Sequence, residues 1–371
     1  MTTGAKGGRN VRVLMLTNMY PSADEPGYGS FVQRQERRLT EQYGVSIRLV
    51  ASLRRGGGRA NVAKYAALLV DTIAETIRGE YDVVHAHYLM PVAAFALIPA
   101  VVRRKPLVIT AHGTDIFSGQ ARGWKGLITR ALRRACRIIV VSDFLAEKLR
   151  ENFGVADSHG RPFIIANMGV DTEAFTPGNR AALKLAAGLP VDVPHLLFVG
   201  NFVEQKGATD LARALVILHG RGVAFRATLL GRGPEMAEVV EAVAPLGDVV
   251  RLEGVVPHAQ LIDVFRSADL FVLPSRREGV GLLVCLESLA CGVPVAAGRA
   301  GGLPEIVHDG VNGVLFEPND PSGIADAVQR LVEDTDELAR LASRARPSAL
   351  PFDERAQAEK VFRVYEECAG S

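Results

Sequence analysis

Short apolar runs alternate with longer amphipathic stretches along most of this chain, the pattern of buried parallel strands joined by helices. In the first half the runs predict strands at Arg12–Thr17, Ser46–Ala51, Asp82–His87, Leu107–Ala111, Arg137–Ser142 and Phe163–Ala166. A 3.6-residue period predicts helices between them, at Ser30–Gln42, Val62–Arg78, Pro91–Val102, Gly123–Ala135 and Asp143–Asn152. A linker containing Pro and Gly, Thr176–Pro194, leads into a second series. Its strands are predicted at His195–Gly200, Arg226–Leu230, Val249–Glu253, Leu270–Leu273, Pro294–Ala296 and Gly313–Phe316. Its helices are predicted at Lys206–His219, Glu235–Ala244, Ala259–Ser267 and Leu283–Cys291, with a helical tail at Ser322–Val332, Glu337–Ser343 and Asp353–Glu367. Such alternation implies an α/β fold of parallel sheets with right-handed crossovers.

Length divides this pattern into two units, because 371 residues exceed what one core usually holds. The apolar stretch Val83–Val102 approaches membrane-spanning length, but it contains His85, His87, Pro91 and Pro99 and splits into a strand and a helix. The leader Met1–Asn10 is polar, and the following run Val13–Leu16 is too short for an export signal. Cys136, Cys285, Cys291 and Cys368 show neither metal-ligand nor redox spacing, so a reduced, cytoplasmic setting is the simplest expectation.

Net charge is +2, yet it hides a split. Residues 1–185 carry 26 Lys and Arg against 15 Asp and Glu, a balance of +11, and residues 186–371 carry 17 against 26, a balance of −9. A basic stretch, Arg122–Arg137, holds Trp124, Leu127, Ile128 and Leu132 among its arginines. It reads equally as a contact for an anionic membrane surface and as a solvated helix with one apolar face. No nucleic-acid reader motif accompanies the charge.

The densest chemistry lies at residues 274–318. Glu278 and Glu287 flank the glycine turn Gly279-Val280-Gly281 and the start of an apolar helix, and Gly301-Gly302 follows. A glycine turn entering a helix offers unpaired N–H groups to a phosphate, and carboxylates beside it accept hydrogen bonds from sugar hydroxyls. A dinucleotide-dependent oxidoreductase is disfavoured, because the first strand runs into Asn18-Met19-Tyr20-Pro21 and Gly231-Arg232-Gly233 lacks the third glycine of the fingerprint. The only D-x-D, Asp334-Thr335-Asp336, lies in the helical tail and reads as a capping cluster, so no metal is expected.

This stretch resembles the retaining glycosyltransferases of family 4, whose pattern runs E-G-F-G-L-x-x-x-E-A-x-A-x-G-x-P-V, then G-G-x-x-E-I-V, then D-G-x-N-G. Glu278, Gly279, Gly281, Leu282, Glu287, Ala290, Gly292, Pro294 and Val295 match the first part, and Gly301 to Gly313 match the rest. The chain has eight residues between the two glutamates where the family has seven. The resemblance extends over about residues 11–320. Thr110-Ala111-His112-Gly113-Thr114-Asp115 is similar to the family's T-x-H-G-x-D turn, and Val199 to Gly207 is similar to V-G-R-L-x-x-x-K-G. In the second, Asn201 stands where the family has arginine; Arg232, Arg276 and Arg277 are candidates to restore that charge.

The resemblance implies two Rossmann-like domains facing a central cleft, the GT-B fold, divided as residues 1–176 and 195–350, with residues 351–371 a last helix crossing back to the first domain. It implies catalytic roles for His112, Lys206 and Glu278. Donor binding falls to Gly29, Asn201, Lys206, Gly279, Gly281, Leu282 and Glu287, and the acceptor side to His87 and Asp115. The implied reaction moves a sugar from a nucleoside diphosphate donor, on UDP or GDP, to an acceptor hydroxyl with retention, without cofactor or metal. A lipid-linked acceptor on the inner face of the membrane would use the basic half. Two alternatives stay open: a non-catalytic partner subunit, and a sugar phosphorylase or epimerase on the same fold.

Overall fold

The structure is a computed structural model that describes residues 10–370 apart from 26, 54–58, 114–115, 117–122, 156–159, 161–162 and 278–281. The chain divides into two compact units, Met1–Met168 with Glu354–Ser371, and Gly169–Asp353.

Unit 1 contains β1 (Arg12–Thr17), α1 (Ser30–Tyr43), β2 (Ser46–Ala51), α2 (Arg59–Arg78), β3 (Val83–His87), α3 (Ala94–Val102), β4 (Leu107–Ala111), α4 (Lys125–Arg134), β5 (Arg137–Val140), α5 (Asp143–Phe153) and β6 (Ile164–Ile165). Its six strands are all parallel, in the order β2-β1-β3-β4-β5-β6. Every residue of β3 and β4 is buried, which is why these strands read as continuous apolar runs.

Unit 2 contains α6 (Arg180–Ala186), β7 (His195–Val199), α7 (Ala208–Gly220), β8 (Arg226–Leu230), α8 (Met236–Val243), β9 (Val250–Glu253), α9 (His258–Ser267), β10 (Leu270–Leu273), α10 (Leu282–Ala290), β11 (Val295–Gly298), β12 (Gly313–Phe316), α11 (Pro321–Glu333) and α12 (Thr335–Ala349). Its sheet is also parallel, ordered β12-β11-β10-β7-β8-β9. The last helix, α13 (Glu354–Gly370), belongs to unit 1, where Glu354 pairs with Arg38 at 2.5 Å and Glu367 with Arg137 at 2.7 Å.

Several local expectations are corrected. β5 ends at Val140, short of Ser142, because the Ser142 hydroxyl caps α5 by accepting the Leu145 N–H at 3.2 Å. The predicted helix at Pro91–Val102 splits into a π-helical turn, Leu89–Ala93, and α3. The predicted linker contains α6, capped by Asn179 and held down by the buried Lys184, whose ammonium pairs with Asp269 and donates to the Val193 carbonyl at 2.9 Å. Cys136 and Cys368, which the sequence leaves unrelated, form a disulfide with Cα atoms 6.2 Å apart. Their partnership depends on α13 packing against unit 1, 232 residues along the chain.

Candidate active site

In an open parallel sheet, ligands bind beyond the carboxyl ends of the strands, where the strand order reverses. In unit 1 that point lies between β1 and β3. Beyond β1 the chain reaches Gly29, which caps α1 at φ 74°. A Cβ there would lie 2.5 Å from the Met19 carbonyl oxygen, so glycine alone lets α1 begin against this loop. Phe31, in the first turn of α1, then brings its ring to 5.3 Å from that of His112.

His87 ends β3 and His112 immediately follows β4, so neighbouring strands set the two imidazoles side by side. His87 Nδ1 and His112 Nε2 are 3.1 Å apart. The Tyr88 ring lies 4.5 Å from that of His112, and Tyr88 adopts φ 81°, a conformation costing about 1–3 kcal/mol that clusters at functional sites. Behind them His85 is fully engaged, with Nδ1 2.6 Å from the Tyr365 hydroxyl and Nε2 2.7 Å from Thr110 Oγ1. Burial holds all three imidazoles neutral: it pushes His87 down to about 3 and His85 and His112 well below the usual histidine range. Among the described residues, His87 Nε2 and His112 Nδ1 are buried without a hydrogen-bond partner. An unmet buried polar group costs about 1–3 kcal/mol, so each nitrogen calls for a partner that the described residues do not supply.

In unit 2 the strand order reverses between β7 and β10. Beyond β7, Asn201 is exposed and Lys206 is half-buried. Lys206 closes the 3-10 turn Glu204–Lys206 and does not begin a helix as predicted. The reason is Gly207, at φ 65°, where a Cβ would stand 2.2 Å from the Pro274 carbonyl oxygen. The loop after β7 is thereby pressed onto the loop after β10, and the Arg276 N–H donates to the Gln205 carbonyl at 2.9 Å. A cavity of about 200 Å³, lined by Glu204, Gln205, Arg276, Arg277 and Asn319, opens beside this junction.

Of the three arginines that could compensate for Asn201, Arg276 is committed elsewhere. Its Nε and Nη2 donate to the buried Asp210 carboxylate at 2.8 and 2.7 Å. Arg232 is exposed, and its carbonyl accepts the Phe202 N–H at 2.9 Å, which sets it one residue from Asn201 across the loops. Arg277 is exposed.

Leu282 begins α10, and Glu287, on the same helix, is buried. Glu287 Oε1 lies 2.8 Å from Nε2 of His258, whose ring stands 5.3 Å from that of Phe175. Sequence reasoning passed over His258; its signal was its place directly after Pro257 and just before the helix expected at Ala259–Ser267. Glu278, Gly279, Gly281 and Asp115 lie outside the described residues. Among those described, no group of three or more His, Cys, Asp or Glu residues is arranged to hold a metal ion.

Comparison with known proteins agrees with this architecture. The family model described as Glycosyltransferase Family 4 matches residues 8–174, and that described as Glycosyl transferases group 1 matches residues 193–334. A D-inositol 3-phosphate glycosyltransferase from Thermobispora bispora is 30% identical over 394 residues, covering 98% of this chain and 91% of that protein. One from Thermobifida fusca is 32% identical over 366 residues, covering 89% and 81%. Among solved structures, sucrose-phosphate synthase from Thermosynechococcus elongatus has a TM-score of 0.79 at 21% identity, covering 96% of this chain and 98% of that one. Anabaena HepE in complex with UDP-glucose has a TM-score of 0.75 at 20% identity, covering 95% and 98%. The fold is GT-B, two units each built on a six-stranded parallel sheet. The chain belongs to glycosyltransferase family 4 and is a glycosyltransferase.

Proposed function

We propose that this glycosyltransferase moves a sugar from a nucleoside diphosphate donor to an acceptor hydroxyl with retention of configuration. The observation that carries the reading is the junction in unit 2, where the Lys206 turn is pressed onto the loop after β10 beside a small cavity. In this reading Lys206 meets the diphosphate, and Arg232 supplies the charge that Asn201 lacks. Glu287, steadied by His258, accepts from the ribose hydroxyls. Gly29 admits the donor to the loop after β1, and His112 faces a sugar hydroxyl, with His87 toward the acceptor.

The bond from the anomeric carbon to the diphosphate oxygen breaks while the acceptor oxygen bonds that carbon from the same face. The departing diphosphate oxygen takes the acceptor proton. Preorganised positive charge stabilises the diphosphate as it leaves, so the reading calls for no metal and no protein nucleophile. HepE crystallises with UDP-glucose, which supports a uridine nucleotide as the first to test.

A lipid-linked acceptor held at the inner face of an anionic membrane suits the basic residues 1–185. The relatives' name, with its inositol phosphate, favours a second reading in which the acceptor is a small anionic polyol. The test of donor class is thermal stabilisation by UDP-, GDP- and ADP-sugars, because a ligand that binds only the folded state raises the midpoint. One nucleotide series is expected to stabilise and to support transfer. No stabilisation by any of them would favour a non-catalytic partner subunit, and breakdown of donor without acceptor would favour a phosphorylase or epimerase.

A further inference from the structure

The two imidazoles at the ends of β3 and β4 constrain each other. A neutral imidazole has one N–H and one bare nitrogen. The 3.1 Å separation of His87 Nδ1 and His112 Nε2 requires one proton between them, since two would clash and none would leave lone pairs opposed. If His112 Nε2 carries that proton, His112 Nδ1 is bare, and His87, accepting at Nδ1, holds its own proton on Nε2. If His87 Nδ1 carries it, the arrangement inverts: His87 Nε2 is bare and His112 Nδ1 is the donor. Either way both rings are the same tautomer, and their two outward nitrogens have opposite hydrogen-bonding sense. Among the described residues, those outward nitrogens are both buried without a hydrogen-bond partner.

The surroundings favour neutral rings. Among the described residues, the hydrogen-bonding and ring neighbours of the pair and of His85, namely Tyr365, Thr110, Tyr88 and Phe31, are uncharged. Packing by Phe31 and Tyr88 against His112, and by His85 at 4.2 Å from His87, limits rotation of either ring.

We propose that His87 and His112 form a coupled pair in which His87 is a positioning residue, fixing whether His112 offers the sugar hydroxyl a donor or an acceptor. The proposal rests on the reading of His112 as the sugar-facing imidazole. It adds that a group bound at His87 Nε2 sets the tautomer shown at His112 Nδ1, so acceptor and donor sugar are sensed through one shared proton.

The test is nitrogen-15 NMR of the whole protein labelled at histidine, at pH 7, with the two rings assigned through His87→Gln and His112→Gln. Both rings are expected neutral and of one kind, both Nδ1–H or both Nε2–H. One of each, or a protonated ring, overturns the pairing. This measurement on the wild type needs no substrate, so it stands or falls apart from the donor assignment. In His87→Gln, which lacks a group at the Nδ1 place, His112 is expected to populate both tautomers. Turnover at saturating nucleotide sugar should fall about tenfold, the scale of one lost hydrogen bond, with KM for the donor little changed. His87→Asn, whose amide overlays Nδ1, should recover part of that loss. An unchanged His112 tautomer in His87→Gln, or a change in KM alone, overturns the positioning role.

Discussion

Lys206 closes a single 3-10 turn whose end is fixed by glycine against backbone, and in the proposed function its ammonium meets the diphosphate. Removing one such preorganised group typically costs about a hundredfold in turnover. Lys206→Ala is therefore expected to lower kcat by about that factor while the thermal midpoint holds, since a half-buried lysine contributes little packing. Turnover near wild type at saturating donor would remove Lys206 from the site. His112→Ala should reduce kcat more than nucleotide affinity, because its imidazole is assigned to the sugar. Glu287→Ala should do the reverse, weakening nucleotide binding through the lost carboxylate and its lost contact with His258. Calorimetric titration with UDP alongside steady-state kinetics separates the two, and loss of UDP binding in the His112 variant would refute the placement.

At the scale of the element, the start of α1 decides whether the loop after β1 is shaped for a ligand. Gly29 sits at φ 74° with no room for a Cβ, whereas Gly27, two residues earlier, has nothing within 4 Å of where a Cβ would stand. Gly29→Ala should displace Phe31 from His112 and lower activity by tenfold or more, a loss of about 1.4 kcal/mol or greater. Gly27→Ala should be tolerated. Equal activities in the two variants would show the loop to be an ordinary surface turn. The basic stretch that raised the membrane question takes its shape at this scale. In α4, Ile128, Ala131 and Leu132 face inward, and Trp124, just before it, packs edge-on against Phe95 of α3. Arg130, Arg133 and Arg134 are exposed, so the face left to solvent is basic without an aromatic anchor.

At the scale of the whole molecule, two properties follow from distributions of charge and protons. No described helix is long and apolar enough to cross a membrane. Each basic residue near an anionic surface adds about 1 kcal/mol, and the attraction decays over a Debye length of roughly 8 Å at physiological salt. Co-sedimentation with anionic vesicles at low salt is expected, with release at high salt and weakening when Arg130, Arg133 and Arg134 become glutamate. Indifference to such vesicles at low salt would favour the small anionic polyol as acceptor. Protons act on stability. His87 is pushed down to about 3 and His195 to about 4, both by burial, against about 6.5 in the unfolded chain. The unfolded state therefore binds more protons below pH 6.5, so stability is full above that pH and lost as pH falls toward the folded values. Each such imidazole removes up to about 1.4 kcal/mol per pH unit in that window. Urea unfolding at pH 7 and pH 5 should show the loss, and a midpoint unchanged between them would mean that these histidines are not buried neutral.

The sequence by itself determined β1, β2, β4, β8, β10 and β12, whose bounds agree residue for residue with the expected strands. Parallel strands buried on both faces, as β4 and β10 are, must be apolar throughout, and that requirement is local and visible. It determined the family as well, because glycines and carboxylates in a fixed order reflect backbone turns of fixed shape. Only the tertiary structure decided which groups meet. His87 and His112 are 25 positions apart and become a pair through strand adjacency, and His258 reaches Glu287 across two helices. Arg276 looked as available as Arg232 until Asp210 was found against it. The helix hidden in the linker needed a buried lysine and its aspartate, 85 residues on, to hold it. The disulfide required α13 to pack beside β5. Such partnerships depend on distance in space, and a single chain read in order carries no measure of that distance.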